Sequence, residues 1–391
     1  MTDARAYLDW NASAPLRPEA RAAMIEALDA VGNPSSVHAE GRAARAIVER
    51  AREQVAALVG CGTDEVIFTS GATEAAALCI PNGAEHCLPI EHDAVWERFG
   101  DGLNTTETDP SKRDPRKVER FKAEITQAGE ITLVAALLCP SLDLIALQAA
   151  NSETGVRQDV DAAARTVEAV GGGATYLCDA VQAIGRVPFR FAKLAGGDPA
   201  VLASAHKLGG PKGVGALVKR APLPYSHVTW GLTGFGQESR RRPGTENVVG
   251  IAGFGAAAEA ARRDLDAGVW DGVAALRDRI EAALKDCAPD LIVVGEGAPR
   301  LPNTSCLIVP GWKGETQVMQ LDLAGFAVSA GSACSSGKVG PSRVLRAMGY
   351  DDVTASSAIR VSLGPTTTEG EVSRFIDAWT SLYRKRQPRA A

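Results

Sequence analysis

Short apolar runs rich in branched residues alternate with amphipathic stretches through the first two-thirds of the chain, and this alternation constrains the fold more than any other feature. EVIFTS (65–70), LIALQAA (144–150), TYLCDA (175–180), VLASAH (201–206) and VGALVK (214–219) read as strands. Between them, VDAAARTVEAVGG (160–172) reads as a helix that ends in glycine. Such a pattern implies an α/β fold with a mainly parallel sheet and helices on both faces. Near residue 250 the texture changes. An Ala-rich stretch with helical spacing runs from Ile251 towards Cys287, long enough to connect two domains. Strand-like LIVVGE (291–296), TSCLIVP (304–310), FAVSA (326–330) and AIRVSL (358–363) follow, with a last helix near 369–384. These point to a smaller α+β domain. DGLNTTETDPSKRDP (101–115) reads as a surface loop and RKRQPRAA (384–391) as a solvated tail.

The length of 391 residues suggests two or three domains. A net charge of -5 argues against a general nucleic-acid role, which calls for a basic surface. No apolar run approaches the ~20 residues needed to span a membrane. The start, MTDARAYLDW, lacks the apolar stretch of a signal peptide, so a cytoplasmic protein is expected. Eight cysteines form no CxxC pair and no cluster at metal-ligand spacing, and no metal is expected. Most of them, Cys139 and Cys178 included, read as small buried hydrophobes.

The candidate chemistry begins in SAHKLGGPKGVGAL (204–217), where Lys207 directly follows a strand. Ligands in open α/β sheets collect at the carboxyl ends of strands, and a lysine amine forms Schiff bases with carbonyl cofactors such as pyridoxal phosphate. Ser204 and His206 stand beside it as phosphate donors. In CDAVQAIG (178–185), Asp179 ends a strand expected to neighbour the lysine strand. A carboxylate there would keep a pyridine nitrogen protonated, although a helix-capping aspartate looks the same in sequence. Gln182 lies in reach of the ring's phenolic oxygen. FTSGATEAAAL (68–78) reads as strand, turn and helix start, an anion site to which Thr73 adds a hydroxyl. His92 follows a short apolar run, where an imidazole can stack on a flat ring, and Asn151 follows another strand.

SAGSACSSGKVGPSRVLRAMG (329–349) is the most informative segment. Cys334 sits among Ser, Gly and Ala, with Lys338 and Arg343 nearby. A core cysteine would have apolar neighbours, and an exposed one is a liability unless its reactivity is used.

Together these segments resemble the cysteine desulfurases of the class V aminotransferase superfamily, in particular the group with a long mobile cysteine loop. The resemblance runs almost end to end: YLDWNASAP (7–15), GNPSSVHAEG (32–41), FTSGATE (68–74), EH (91–92), NSETG (151–155), DAVQAIG, SAHKLGGPKGVGAL, GQESRRRPGTENV (236–248), GSACSSG (331–337) and AIRVSL. It implies a fold-type I pyridoxal-phosphate enzyme with a large domain over 16–255, built on a seven-stranded, mainly parallel sheet. A small domain would comprise 1–15 and 256–391 and carry the cysteine loop at about 329–343. By the same resemblance, Lys207 would carry the cofactor and move protons at the substrate Cα. Asp179 would pair with the pyridine nitrogen and Gln182 with the phenolic oxygen, with His92 stacked on the ring. Ala72, Thr73, Ser204 and His206 would sit at the phosphate, joined by Thr245 from the other subunit of a homodimer. Arg360, helped by Asn151, would bind the carboxylate of L-cysteine. Cys334, as thiolate, would take the sulfur as a persulfide, release alanine and pass the sulfur to an acceptor such as an iron–sulfur scaffold. Trp10, Asp93, Ser152, Ala205 and Phe235 depart from the family pattern, and the stretch from Glu74 to His92 is shorter than usual. A selenocysteine lyase, another carbon–sulfur lyase of the superfamily, and a non-catalytic scaffold member are the alternatives.

Overall fold

The computed structural model describes residues 5–80, 87–98, 122–134, 144–170, 175–194, 198–220, 237–331 and 340–386. Cys139, Phe235, Cys334, Lys338, the 101–115 segment and residues 387–391 lie outside the described residues. The first elements are β1 (Ala6–Tyr7), α1 (Pro18–Leu28), α2 (Ala39–Val59), β2 (Val66–Thr69), α3 (Ala72–Cys79) and α4 (Asp93–Trp96). A hairpin follows, β3 (Lys122–Ile125) and β4 (Ile131–Val134), then β5 (Leu144–Gln148), α5 (Val160–Val170), β6 (Thr175–Asp179), β7 (Asp198–Ser204) and β8 (Gly215–Lys219). Next come α6 (Val248–Asp266), α7 (Val269–Cys287), β9 (Ile292–Val293), β10 (Thr304–Ile308), α8 (Gly314–Leu323), β11 (Phe326–Ala327) and β12 (Ser329–Ala330). The last described elements are α9 (Arg343–Ala347), α10 (Asp352–Ala355), β13 (Ala358–Ser362) and α11 (Glu369–Arg386).

The main sheet has the order β2-β8-β7-β6-β5. Strands β5, β6 and β7 are mutually parallel, while β8 opposes β7 and β2 opposes β8, so β8 alone is reversed. The family resemblance implies seven strands; the described residues supply five, and Cys87 makes a parallel bridge to Ala146 beyond β5. Every residue of β2, β5 and β8 is buried, as strands covered on both faces require. Successive side chains point to opposite faces. Phe68, Tyr176 and Cys178 face one core, with α2 and α6 over it, while Ile67, Leu177 and Leu217 face a second under α3. Phe68 meets Phe254 of α6 edge-on at 6.2 Å, a contact contributing about 1 kcal/mol beyond its buried area.

A second sheet, β12-β13-β10-β9, is antiparallel and packs on α7 and α11 through Trp312, Trp379 and Tyr383. Trp379 and Tyr383 stack at 5.4 Å, one turn apart on α11. Strand β1 pairs with β11, and Asp9 bridges Ser362 of β13, so residues 6–9 belong to this C-terminal layer.

The structure corrects four boundaries. The expected helix from Ile251 to Cys287 is two helices, broken at Gly268, whose φ of +68° no helix interior accommodates. LIVVGE is a strand only at Ile292–Val293, because the chain turns at Gly295 (φ +73°) against Val156. FAVSA splits at Val328, its first half pairing with β1 and its second with β13. The expected tail begins as helix: α11 continues to Arg386, which donates to the Pro310 carbonyl at 2.9 Å and lies over the Trp312 ring. The hairpin β3–β4 had no counterpart in the sequence reading.

Candidate active site

The carboxyl ends of β5, β6 and β7 open into a cavity of about 470 Å³. This is where parallel strands leave room between the helices that follow them. Gln148, Asp179 and Ser204 end these three strands, and all three line the cavity. His206 and Lys207 lie in a single 3₁₀ turn directly after β7, so the lysine is carried on rigid backbone. Gly215 is required nearby: a Cβ there would lie 2.7 Å from the Gly71 backbone, so only glycine lets β8 approach the turn before α3. That turn presents Ser70, Gly71, Ala72 and Thr73 to the cavity. Leu202, Val181, Ala150, Ala94 and the His92 ring supply flat and apolar wall.

Lys207 Nζ donates to the carbonyls of Asn11 (2.6 Å) and Ala12 (2.9 Å). Asp179 is partly buried and accepts from Val181 N at 3.0 Å. Burial raises its pKa, while His92, that backbone bond and Lys207 oppose the rise. His92 caps α4, its Nδ1 accepting from Ala94 N at 3.1 Å, which leaves the proton of the neutral ring on Nε2. The pKa of His206 is pushed down to about 4 by burial and then by Lys207, Lys212, Arg186 and His92. His206 thus stands among Lys207, Lys212 and Arg186, the first turn of α3 lines the same cavity, and Asp179 adds a carboxylate to it. That donor set fits a flat ring bearing a phosphate at one end and a basic ring nitrogen at the other. Lys207, Asp179 and Gln182 would hold the ring and its carbonyl carbon, and Ala72, Thr73, Ser204 and His206 the phosphate.

Lys207, Asp179, Gln182, His92, Ala72, Thr73, Ser204 and His206 thus meet in one cavity. Asn151 and Arg360 lie behind its wall. Asn151 Oδ1 accepts from the amides of Glu153 and Thr154, both at 2.9 Å, and Ser152 takes the cavity position beside it. Arg360 is buried on β13, with Nη2 on Asp9 Oδ1 at 2.8 Å and Nη1 on the Ser152 carbonyl at 3.0 Å. Thr245 is exposed and does not line this cavity. Arg343 reaches α4. It pairs with Asp93 at 2.7 Å and stacks on Trp96 at 4.4 Å.

Four of the departures from the family pattern are accommodated locally. Trp10 packs flat on Gly364, Asp93 gains Arg343, and Ser152 uses only its carbonyl towards Asn11 and Arg360. Ala205 fits because its neighbour is Gly210, whose Cβ would come within 3.0 Å. Among the described residues, Cys79, Cys87, Cys178 and Cys306 are buried, and no acidic, histidine or cysteine cluster suits a metal. No helix among them is long and apolar enough to cross a membrane. Sequence reasoning missed Asn11, Ser13, Gln148, Lys212 and Arg186. Asn11, Ser13 and Lys212 stand inside quoted motifs, the only signal that marked them.

Residues 6–375 match the family described as aminotransferase class-V. A cysteine desulfurase of Cereibacter sphaeroides is 39% identical over 377 residues, covering 95% of this chain and 94% of that protein. Another, from Frankia sp., is 38% identical over 383 residues and covers 95% and 89%. A solved structure called a NifS-like protein superposes with a TM-score of 0.80 at 30% identity, covering 97% of this chain and 100% of the other.

Proposed function

The chain belongs to the class-V aminotransferase family, and from that membership we infer that it is a pyridoxal-phosphate-dependent cysteine desulfurase, converting L-cysteine to L-alanine. The observation that carries this reading is the convergence of Lys207, Asp179 and His92 on one cavity at the ends of β6 and β7. The bound cofactor supplies an electron sink for the substrate Cα.

The residues divide the remaining work. Lys207 Nζ holds the cofactor and then carries the proton at Cα. Asp179, held anionic by a protonated ring nitrogen, keeps the sink strong, and His92 covers the ring against water. Gln182 meets the phenolic edge, and the amides of Ala72 and Thr73, with Ser204 and His206, hold the phosphate. Arg360 and Asn151 recognise the substrate carboxylate. For Arg360 this requires exchanging Asp9 for the incoming carboxylate, a swap of like ligands on one guanidinium. Cys334 takes the sulfur as thiolate, the soft nucleophile the step requires.

At the level of assembly, the proposal is a cytoplasmic homodimer. Thr245, exposed on its own subunit, would complete the partner's phosphate site, and an iron–sulfur scaffold would receive the sulfur. Residues 16–255 would form the large domain and 1–15 with 256–391 the small one. The separate core of Ala6, Leu8, Trp312, Trp379 and their neighbours supports that division.

The test is to incubate the purified protein with L-cysteine and assay alanine and protein-bound persulfide in wild type and Cys334→Ser. Both products from wild type alone support the assignment. Undiminished alanine from the variant would sink Cys334 as acceptor and favour a carbon–sulfur lyase.

A further inference from the structure

Arg186 is 3% exposed, yet among the described residues it has no carboxylate partner. Its guanidinium donates to Asn11 Oδ1 at 2.8 Å, to Gln182 Oε1, to the Lys207 carbonyl at 3.3 Å and to the Trp10 carbonyl at 3.4 Å. A buried cation surrounded only by neutral oxygens is costly to keep. Burial, then Arg360, pushes its pKa down to about 9, so it stays charged at neutral pH. The chain is turned to place it there. Gly185 has φ +78°, and a Cβ on it would lie 2.6 Å from Leu208, so the backbone folds back beneath the lysine turn at that point.

The partners of Gln182 explain what the cation does. A carboxamide offers an acceptor at one end and two N–H donors at the other, and either end can face a ligand. Arginine has no acceptor, so the end beside Arg186 must be Oε1. Nε2 lies on the other side and donates one hydrogen to the Asn11 carbonyl at 3.1 Å, leaving its second for the cavity. Asn11 is oriented by the same fork: Oδ1 receives Arg186, and Nδ2 donates to Thr304 Oγ1 at 2.9 Å. The Asn11 carbonyl then serves Gln182 Nε2 and Lys207 Nζ together.

We propose that Arg186 is a positioning residue that fixes the polarity of Gln182, so that an N–H donor and not a carbonyl oxygen faces the phenolic edge of the cofactor. It acts through Gln182 and does not touch the reacting atoms. The proposal rests on the assignment of pyridoxal phosphate to this cavity.

A double-mutant cycle on the full chain tests it. Apoprotein of wild type, Arg186→Met, Gln182→Ala and the double variant is titrated with pyridoxal phosphate, following the visible absorption band for affinity and position. Arg186→Met is expected to weaken binding about tenfold and shift the band in the wild-type background, the scale of one lost hydrogen bond to a charged group. In the Gln182→Ala background it should do neither. Equal losses in both backgrounds would overturn the role of Arg186. Wild type that binds no pyridoxal phosphate would instead overturn the reading of the cavity itself. Arg186→Lys, whose ammonium is likewise donor-only, is carried through the same cycle and should keep affinity and band position close to wild type; a tenfold loss there would overturn the role in polarity.

Discussion

Lys207 and Asp179 come from the ends of neighbouring strands: Asp179 pairs with Leu202 of β7, and the lysine lies in the turn that follows that strand. With Lys207 as the proposed proton carrier, Lys207→Ala should abolish turnover while leaving the cofactor bound noncovalently. Single-turnover assays with cysteine, read beside the absorption spectrum, check both halves. Asp179→Ala removes the anion and should lower kcat by about 10²-fold or more, and wild-type-like kinetics would refute its role. These two residues were legible in the sequence because each ends a run that reads plainly as a strand. Arg186 was not: an arginine after a glycine reads as surface charge, and its burial depends on Asn11, 175 residues away. Asn151 shows the opposite limit. Its position after a strand was legible, but nothing in NSETG reveals that Oδ1 is taken up by the turn of its own loop.

At the scale of elements, the segment after β1 and the turn after β13 are fitted to each other through Trp10 and Gly364. A Cβ on Gly364 would stand 2.1 Å from the indole ring. Gly364→Ala is therefore expected to cost about 1–3 kcal/mol, the range for overpacking. In a Trp10→Asn background most of that cost should vanish, and urea melts of the four proteins measure the coupling. The strands around Lys207 were readable because their apolar runs stop close to where pairing stops. Elements of the C-terminal layer were less so. The break between α6 and α7 rests on one backbone angle at Gly268, and the division of FAVSA rests on two different partner strands. The hairpin β3–β4 is too mixed in character to announce itself.

Across the whole molecule, two buried carboxyls link stability to pH. Burial, then the nearby Asp179, drives Glu91 up to about 8, and burial raises Glu153 to about 7 against the pull of Ser342 and Arg360. A carboxyl whose pKa is higher folded than unfolded binds more protons in the folded state between those two values. Its contribution is thus complete below the ordinary value of 4.5 and is lost as pH rises towards about 8. Glu91→Gln keeps an acceptor for Gln148 N, which Glu91 Oε1 now receives at 2.8 Å, and removes the ionisation. Relative to wild type, the variant should gain at least about 1 kcal/mol between about pH 5 and about pH 8. Chemical denaturation across that range decides it, and parallel curves would discard the idea.

The wall of the cavity has a consequence for synthesis. Lys207 rests on a carbonyl made 196 residues earlier, and Asn11 is itself held by Ser362 Oγ, 351 residues later. A ribosome delivers these in the order Asn11, Lys207, Ser362. The nascent chain thus carries Lys207 long before β13 exists to seat the segment that receives it. Domains that fold as units during translation complete local contacts first. Here the strand ends can assemble early, but the wall against which Lys207 rests can close only once the strand bearing Arg360 has emerged. Cofactor capture at Lys207 would then wait on the emergence of β13.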